Sequence, residues 1–192
     1  LANEFDCRAL CFFVFFEHAD VMAVQLRLYG LETCSLTSVT SKEARAQIIK
    51  DFRDAKIHYL CVVDMFNEGV DIPEIDTVLF LRPTESLTIF LQQLGRGLRL
   101  CVGKTELTVL DFVAQANKKY DFTARFRALS LSPDKNVKKQ VEEGFAFLPH
   151  GCTIVMEKLA RQYVLANINS AIYTKTRLER ELCGYVDMPT IS

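Results

Sequence analysis

Gln92-Gln-Leu-Gly-Arg-Gly-Leu-Arg99, downstream of Asp64-Met-Phe-Asn-Glu-Gly-Val-Asp-Ile-Pro73, is the stretch on which the reading of this chain turns. At about 100° per residue, Leu87, Phe90, Leu91, Leu94 and Leu98 fall on one stripe of a helix. Gln92, Gly95, Arg96 and Arg99 fall on a neighbouring stripe, spaced i, i+3, i+4, i+7. The apolar stripe predicts docking onto a core. The other presents two guanidiniums, an amide and a glycine that admits a close partner. Arginine stays charged and its planar fork matches phosphate oxygens, so the second stripe suits a polyphosphate. The plain alternative is a solvated face carrying two surface arginines.

Outward from this stretch, strands and helices alternate. Arg8–Phe16 reads as a fully buried strand, apolar without alternation. A helix opens at Glu17, carries Met22, Leu26 and Tyr29 inward, and stops at Gly30. Thr33–Thr37 reads as a strand. Thr40-Ser-Lys-Glu43 fits a capping box for a helix with Ala44, Ile48 and Phe52 on its inner face. Ile57–Val63, Thr77–Leu81 and Glu106–Phe112 complete the strands, with the arginine helix at 86–98 and another helix at 118–129. Such alternation predicts an α/β fold, a parallel sheet with helices on both faces. Ligands then gather beyond the carboxyl ends of the strands.

After Leu129 the character changes. Ser130–Lys135 reads as a linker, Lys135–Glu143 as a solvated helix, and Cys152–Val155 as a short strand. Helices follow at Glu157–Asn169 and Thr174–Leu182. We therefore divide the chain into residues 1–130 and a small, mainly helical C-terminal extension, 131–192, whose uncapped ending reads as cut from a longer chain.

The 192 residues are 49% hydrophobic and 24% charged, with a net charge of −1. No global cationic field advertises nucleic acid, although a local basic groove remains compatible with that balance. Seven cysteines, odd in number and without Cys-x-x-Cys spacing, fit free thiols in a reducing cytoplasm better than disulfides or zinc. The apolar run Ala9–Phe16 is too short to span a bilayer, so no membrane partner is expected and the predicted location is cytoplasmic.

Gln-x-x-Gly-Arg-x-x-Arg following Glu-Gly-Val-Asp-Ile-Pro resembles motifs VI and V of superfamily 2 helicases, in the second of their two RecA-like domains. Phe66–Pro73 with Leu79-Phe-Leu-Arg-Pro-Thr84 resembles most closely the bacterial DEAD/DEAH-type helicases that carry a further C-terminal region of undefined role. The resemblance covers residues 8–130 well and 140–172 more loosely. It implies a RecA-like fold, and ATP with Mg²⁺ bound mainly by a first RecA-like domain absent from this segment. Arg96 and Arg99 would then meet the γ-phosphate, with Arg99 the stronger candidate for the finger. Gln92 would contact the γ-phosphate or the attacking water, and Gly95 would permit close packing there, or a helix–helix contact. Asp71 would hydrogen-bond the ribose, and Gly69 would aim backbone N–H groups at phosphate. Asn67 and Glu68 would couple the ATP and nucleic-acid sites.

Further nucleic-acid contacts are expected from Glu17 and His18 after the first strand and from Ser35, Thr37 and Ser38 after the second. Val63 stands where many relatives carry Thr or Ser, and it has no hydroxyl to offer a nucleic-acid backbone. His58 and His150 are isolated, and no metal ligand set is expected. Gly103-Lys-Thr105 imitates the end of a P-loop, but Leu98 occupies the required glycine position, so Val102-Gly-Lys reads as a turn. With no Walker A and no Asp-Glu-x-x box, the segment alone is expected to hold no cofactor and hydrolyse nothing. The reading is the second motor domain of an ATP-dependent DNA or RNA helicase or translocase, DNA favoured. Its partners would be nucleic acid and the missing first domain. The rival is a non-catalytic RecA-like module that binds nucleic acid or protein.

Overall fold

The computed structural model describes residues 7–63, 72–81, 86–112, 120–133 and 135–186, with backbone only beyond 172. By proximity the chain divides into two compact units, Leu1–Phe112 and Val113–Ser192.

The first unit is built on a five-stranded, wholly parallel sheet in the order β2-β3-β1-β4-β5. Its strands are β1 (Ala9–Phe13), β2 (Thr33–Leu36), β3 (Tyr59–Val63), β4 (Thr77–Phe80) and β5 (Thr108–Asp111). The helices between them are α1 (Phe16–Leu28), α2 (Lys42–Arg53) and α3 (Leu87–Gly97). Every residue of β1 is buried, as expected of the central strand, because alternate side chains serve two different cores. Ala9, Cys11 and Phe13 share one core with Cys61, Val63 and the α1 residues Ala19 and Ala23. On the opposite face, the Phe12 ring stacks on Phe80 at 5.7 Å, and Phe80 meets Phe90 of α3 at 5.2 Å. Helices α1 and α3 thus cover opposite faces, the arrangement expected from the alternation. At the other extreme, β5 is an edge strand exposed along its length.

Local punctuation accounts for the element ends. Gly30, at φ 80°, follows the α1 C-cap, and the Leu31 and Gly30 amides return to the Leu26 and Arg27 carbonyls. That is a Schellman closure. The α2 cap differs from the expected box. Ser41 is the N-cap, its hydroxyl accepting from the Ala44 amide, whereas the Thr40 hydroxyl accepts from the Thr37 amide in the preceding turn. Glu43 is therefore one residue short of the position that would complete the box.

In the second unit, α4 (Phe122–Leu129), α5 (Val137–Glu143) and α6 (Lys158–Val186) close around Tyr120, Phe122, Val137, Val141, Val164 and Ile168. Helix α4 shares that core with the later helices, so contacts part the chain at 112/113 rather than at the 130/131 boundary drawn from the sequence. Linker composition at Ser130–Lys135 marks a bend within this unit, where the Leu131 amide donates to the Phe147 carbonyl at 2.7 Å. Two further expectations are corrected. Residues 152–155 form no strand, and the two closing helices are one continuous helix of 29 residues, since nothing at 170–173 breaks it. No described helix is long and apolar enough to cross a membrane.

Candidate functional site

Helix α3 starts where Ser86 supplies its hydroxyl to the Ile89 amide. The helix docks on a face rotated from the expected stripe. Phe90, Gln93, Leu94 and Gly97 are buried, whereas Leu91 is 40% and Leu98 62% exposed. Gln93, at 2% exposure, is the polar member of the docked face, and Gly97 lets the helix close on the residues beneath it. A β-carbon on Gly97 would stand 3.1 Å from Val78 Cγ2 and nearer still to the Leu107 methyls. Gly95 has nothing within 4 Å of the same position, so no described part of this chain makes the helix–helix contact weighed for it.

The second stripe is presented in part as the spacing requires, through Gln92, Gly95 and Arg96. Gln92, Gly95 and Arg99 are exposed, and Arg96 is half-buried. Arg96 lines a small cavity with Phe12, Val62, Ile72 and Ile75, and this burial pulls its guanidinium below its ordinary value. It stays charged at neutral pH, since arginine starts so high. Arg99 does not belong to the helix at all. α3 ends at Gly97 with Leu98 as C-cap, so Arg99 leaves the helical register that placed it on the same stripe.

What replaces the helix there is Lys104. Its ammonium donates to the Arg99 carbonyl at 2.9 Å, to the Pro73 carbonyl at 3.3 Å and to the Gly97 carbonyl. The segment around it is the turn expected of the false P-loop, with Gly103 at φ 84° and the Lys104 amide returning to Cys101 at 3.2 Å. Sequence reasoning dismissed this lysine with its motif. The available signal was its position just past a helix end, where a cation satisfies orphan carbonyls.

Of the other expected site residues, Asn67, Glu68, Gly69 and Asp71 lie outside the described residues. Ile72 and Pro73, which follow them, are buried and half-buried. Glu17 and His18 are exposed in the first turn of α1, the His18 ring lying edge-on to Phe13 at 5.0 Å. Ser35 gives its hydroxyl to Asp20 at 2.5 Å. Thr37 is buried and held in a turn: its amide donates to Thr40, and its carbonyl accepts from Thr40 and Arg45. Ser38 alone of these hydroxyl residues is exposed. Among the described residues no cluster of His, Cys, Asp or Glu is placed to hold a metal ion.

The profile described as "Helicase conserved C-terminal domain" matches residues 1–101, more than half of the chain. This chain belongs to that family. Among named relatives, the helicase domain is 36% identical over 88 residues to "Putative ATP-dependent helicase IRC3" of Saccharomyces cerevisiae, covering 46% of this chain and 13% of the yeast protein. It is 29% identical over 102 residues to the ATP-dependent RNA helicase drs1 of Neurospora crassa, covering 53% of this chain and 12% of that protein. The chain thus spans only 12–21% of the length of such relatives. In fold, the chain is similar to the yeast DEAD-box splicing factor Prp28, with TM-score 0.61 and 17% identity, over 84% of this chain and 31% of that one. It is also similar to the Escherichia coli DEAD-box protein SrmB, with TM-score 0.53 and 23% identity, over 60% and 66% of the two chains.

Proposed function

We propose that this helicase C-terminal domain is the second motor domain of an ATP-dependent helicase or translocase, and that Arg99, supported by Arg96 and Gln92, faces the γ-phosphate of ATP held by a first RecA-like domain. The observation that carries this reading is the division of α3 into two faces. Phe90, Gln93, Leu94 and Gly97 anchor the helix, while Gln92 and Gly95 are exposed beside a half-buried Arg96, and Arg99 is exposed just past the helix end. A non-catalytic binding module has no use for an arginine pair at the end of a docked helix. Exposure makes Arg99 the better finger; Arg96, whose side chain also lines the cavity against the sheet, is the better anchor. A finger arginine offsets charge on the transferring phosphoryl group, a contribution of roughly 10³–10⁵-fold in other nucleotide hydrolases. Gly95 leaves open space where a partner surface must approach.

ATP would be the phosphoryl donor, with Mg²⁺ on the first domain screening its charge. This chain would supply cationic and amide groups to the phosphates, and Gly69 and Asp71 to phosphate and ribose. Nucleic-acid backbone would run past the carboxyl ends of β1 and β2, where Glu17, His18 and Ser38 are exposed, with Asn67 and Glu68 linking it to the nucleotide. Ser35 and Thr37 contribute less, because their polar groups are already engaged within the domain. Relatives named as RNA helicases put RNA on an equal footing with the DNA favoured from the sequence.

The test is nucleic-acid-stimulated ATPase of the full-length protein, wild type against Arg99→Ala, with nucleotide binding measured beside it. Turnover lost with binding kept supports the motor reading. Unchanged turnover sinks it and leaves a binding module.

A further inference from the structure

Lys104 gathers three carbonyls from two separate signatures. Gly97 and Arg99 flank the end of the arginine helix, and Pro73 closes the Glu-Gly-Val-Asp-Ile-Pro stretch. An ammonium has three protons, and here each has an acceptor. A plain helix C-cap needs only carbonyls of its own helix. The bond to Pro73, 31 residues away in sequence, is superfluous to capping. It matters if the two stretches must hold a common register.

The need for such a tie follows from where α3 stops. Inside the helix, backbone hydrogen bonds fix the positions of Gln92 and Arg96. Arg99 lies beyond the last helical residue, so the helix does not determine where its Cα stands. Lys104 restores that constraint by holding the Arg99 carbonyl against Pro73. Burial opposes the charge of the lysine, while the Asp76 carboxylate favours it. Asp76 is itself held at the start of β4, accepting from the Arg8 amide and the Thr77 hydroxyl.

We propose that Lys104 is a positioning residue for phosphoryl transfer, tying the Arg99 carbonyl to that of Pro73 so that the Arg99 backbone is held where its guanidinium meets the nucleotide. The inference rests on the assignment of Arg99 made under Proposed function. Misplacing a reacting group by about 1 Å costs on the order of 10²-fold in rate.

The experiment is a double-mutant cycle on the full-length protein, with steady-state ATPase under saturating nucleic acid for wild type, Lys104→Met, Arg99→Ala and the double variant. Methionine keeps an apolar stem and removes all three donors. Should it fail to fold by circular dichroism, Lys104→Gln takes its place with the same outcomes. The expected result is kcat lowered roughly 10- to 100-fold in Lys104→Met, KM for ATP within about twofold, and no further loss when it is added to Arg99→Ala. Wild-type kcat in Lys104→Met, a change confined to KM, or losses that multiply with Arg99→Ala would each overturn the positioning role while Arg99→Ala remains defective. Wild-type turnover in Arg99→Ala alone would overturn the arginine assignment, and this inference with it.

Discussion

Gly97 and Leu107 are in such close approach that a β-carbon on Gly97 would lie 2.5 Å from Leu107 Cδ1. Leu107 can swing, but Val78 on β4 limits the room, and overpacking of this kind costs about 1–3 kcal/mol. Gly97→Ala is therefore expected to destabilise the chain. Gly95→Ala, in open space on the same helix, should stabilise it by about 0.5–1 kcal/mol through the lower backbone entropy of its unfolded state. Paired urea denaturation curves check the opposite signs. Equal shifts would show that the two glycines are not on differently packed faces.

Phe80 is the ring that joins the sheet to the arginine helix, lying between Phe12 and Phe90. Phe80→Ala should cost about 3–5 kcal/mol. Leu98→Ala, on a side chain 62% exposed, should stay within about 0.5 kcal/mol. Thermal unfolding of both variants decides whether the docked face is the one seen or the stripe counted from sequence, which would make Leu98 costly.

The thiols should separate by environment. Cys11 is buried on β1, and a hydrogen bond with Cys61, followed by burial, pushes its thiol well up. Cys34 is raised mainly by burial, and Cys152 is exposed. Since the thiolate is the nucleophile, iodoacetamide at neutral pH should label Cys152 before Cys34, and Cys11 only after unfolding. Mass spectrometry of a labelling time course reads the order, and early modification of Cys11 would contradict the buried β1–β3 pair.

Asp51 gives a pH signature. Its carboxyl is held below the ordinary range, first by the hydrogen bond from Gln47 at 2.9 Å and then by that from Lys56 at 3.1 Å. Its folded pKa lies below its unfolded one. Its contribution to stability is therefore present above the unfolded pKa and lost as pH falls through the folded one. An NMR titration should place the Asp51 midpoint below that of an unpaired aspartate and move it upward in Gln47→Ala. An unmoved midpoint would remove Gln47 as the main cause.

Much of the fold was legible because it depends on local rules. An all-apolar β1, Gly30 after α1, and strict alternation of strand and helix each have a physical cause that acts within a few residues. The errors have equally specific causes. The α2 cap slipped from Thr40 to Ser41 because two adjacent hydroxyls compete, and the Thr37 turn claims the first. The closing helices merged because polar residues at 170–176 weaken the apolar pattern without breaking a backbone. At the site, spacing placed Gln92, Gly95 and Arg96 together on α3, but it carried Arg99 on with them past the helix end and put Leu91 and Leu98 on the docked face that Gln93 and Gly97 occupy. A glutamine in a core cannot be read from periodicity, which counts apolar side chains only.

By itself, the order of residues determined the α/β class, the two signature stretches and the residue types offered to phosphate, since these depend on side-chain chemistry and short-range geometry. Only the tertiary structure decided which way α3 is turned, that it releases Arg99 at Gly97, and that Lys104 reaches back to Pro73. Those outcomes depend on packing against Val78, Phe80 and Leu107 and on carbonyls left unpaired at a helix end, neither of which exists until the strands have assembled.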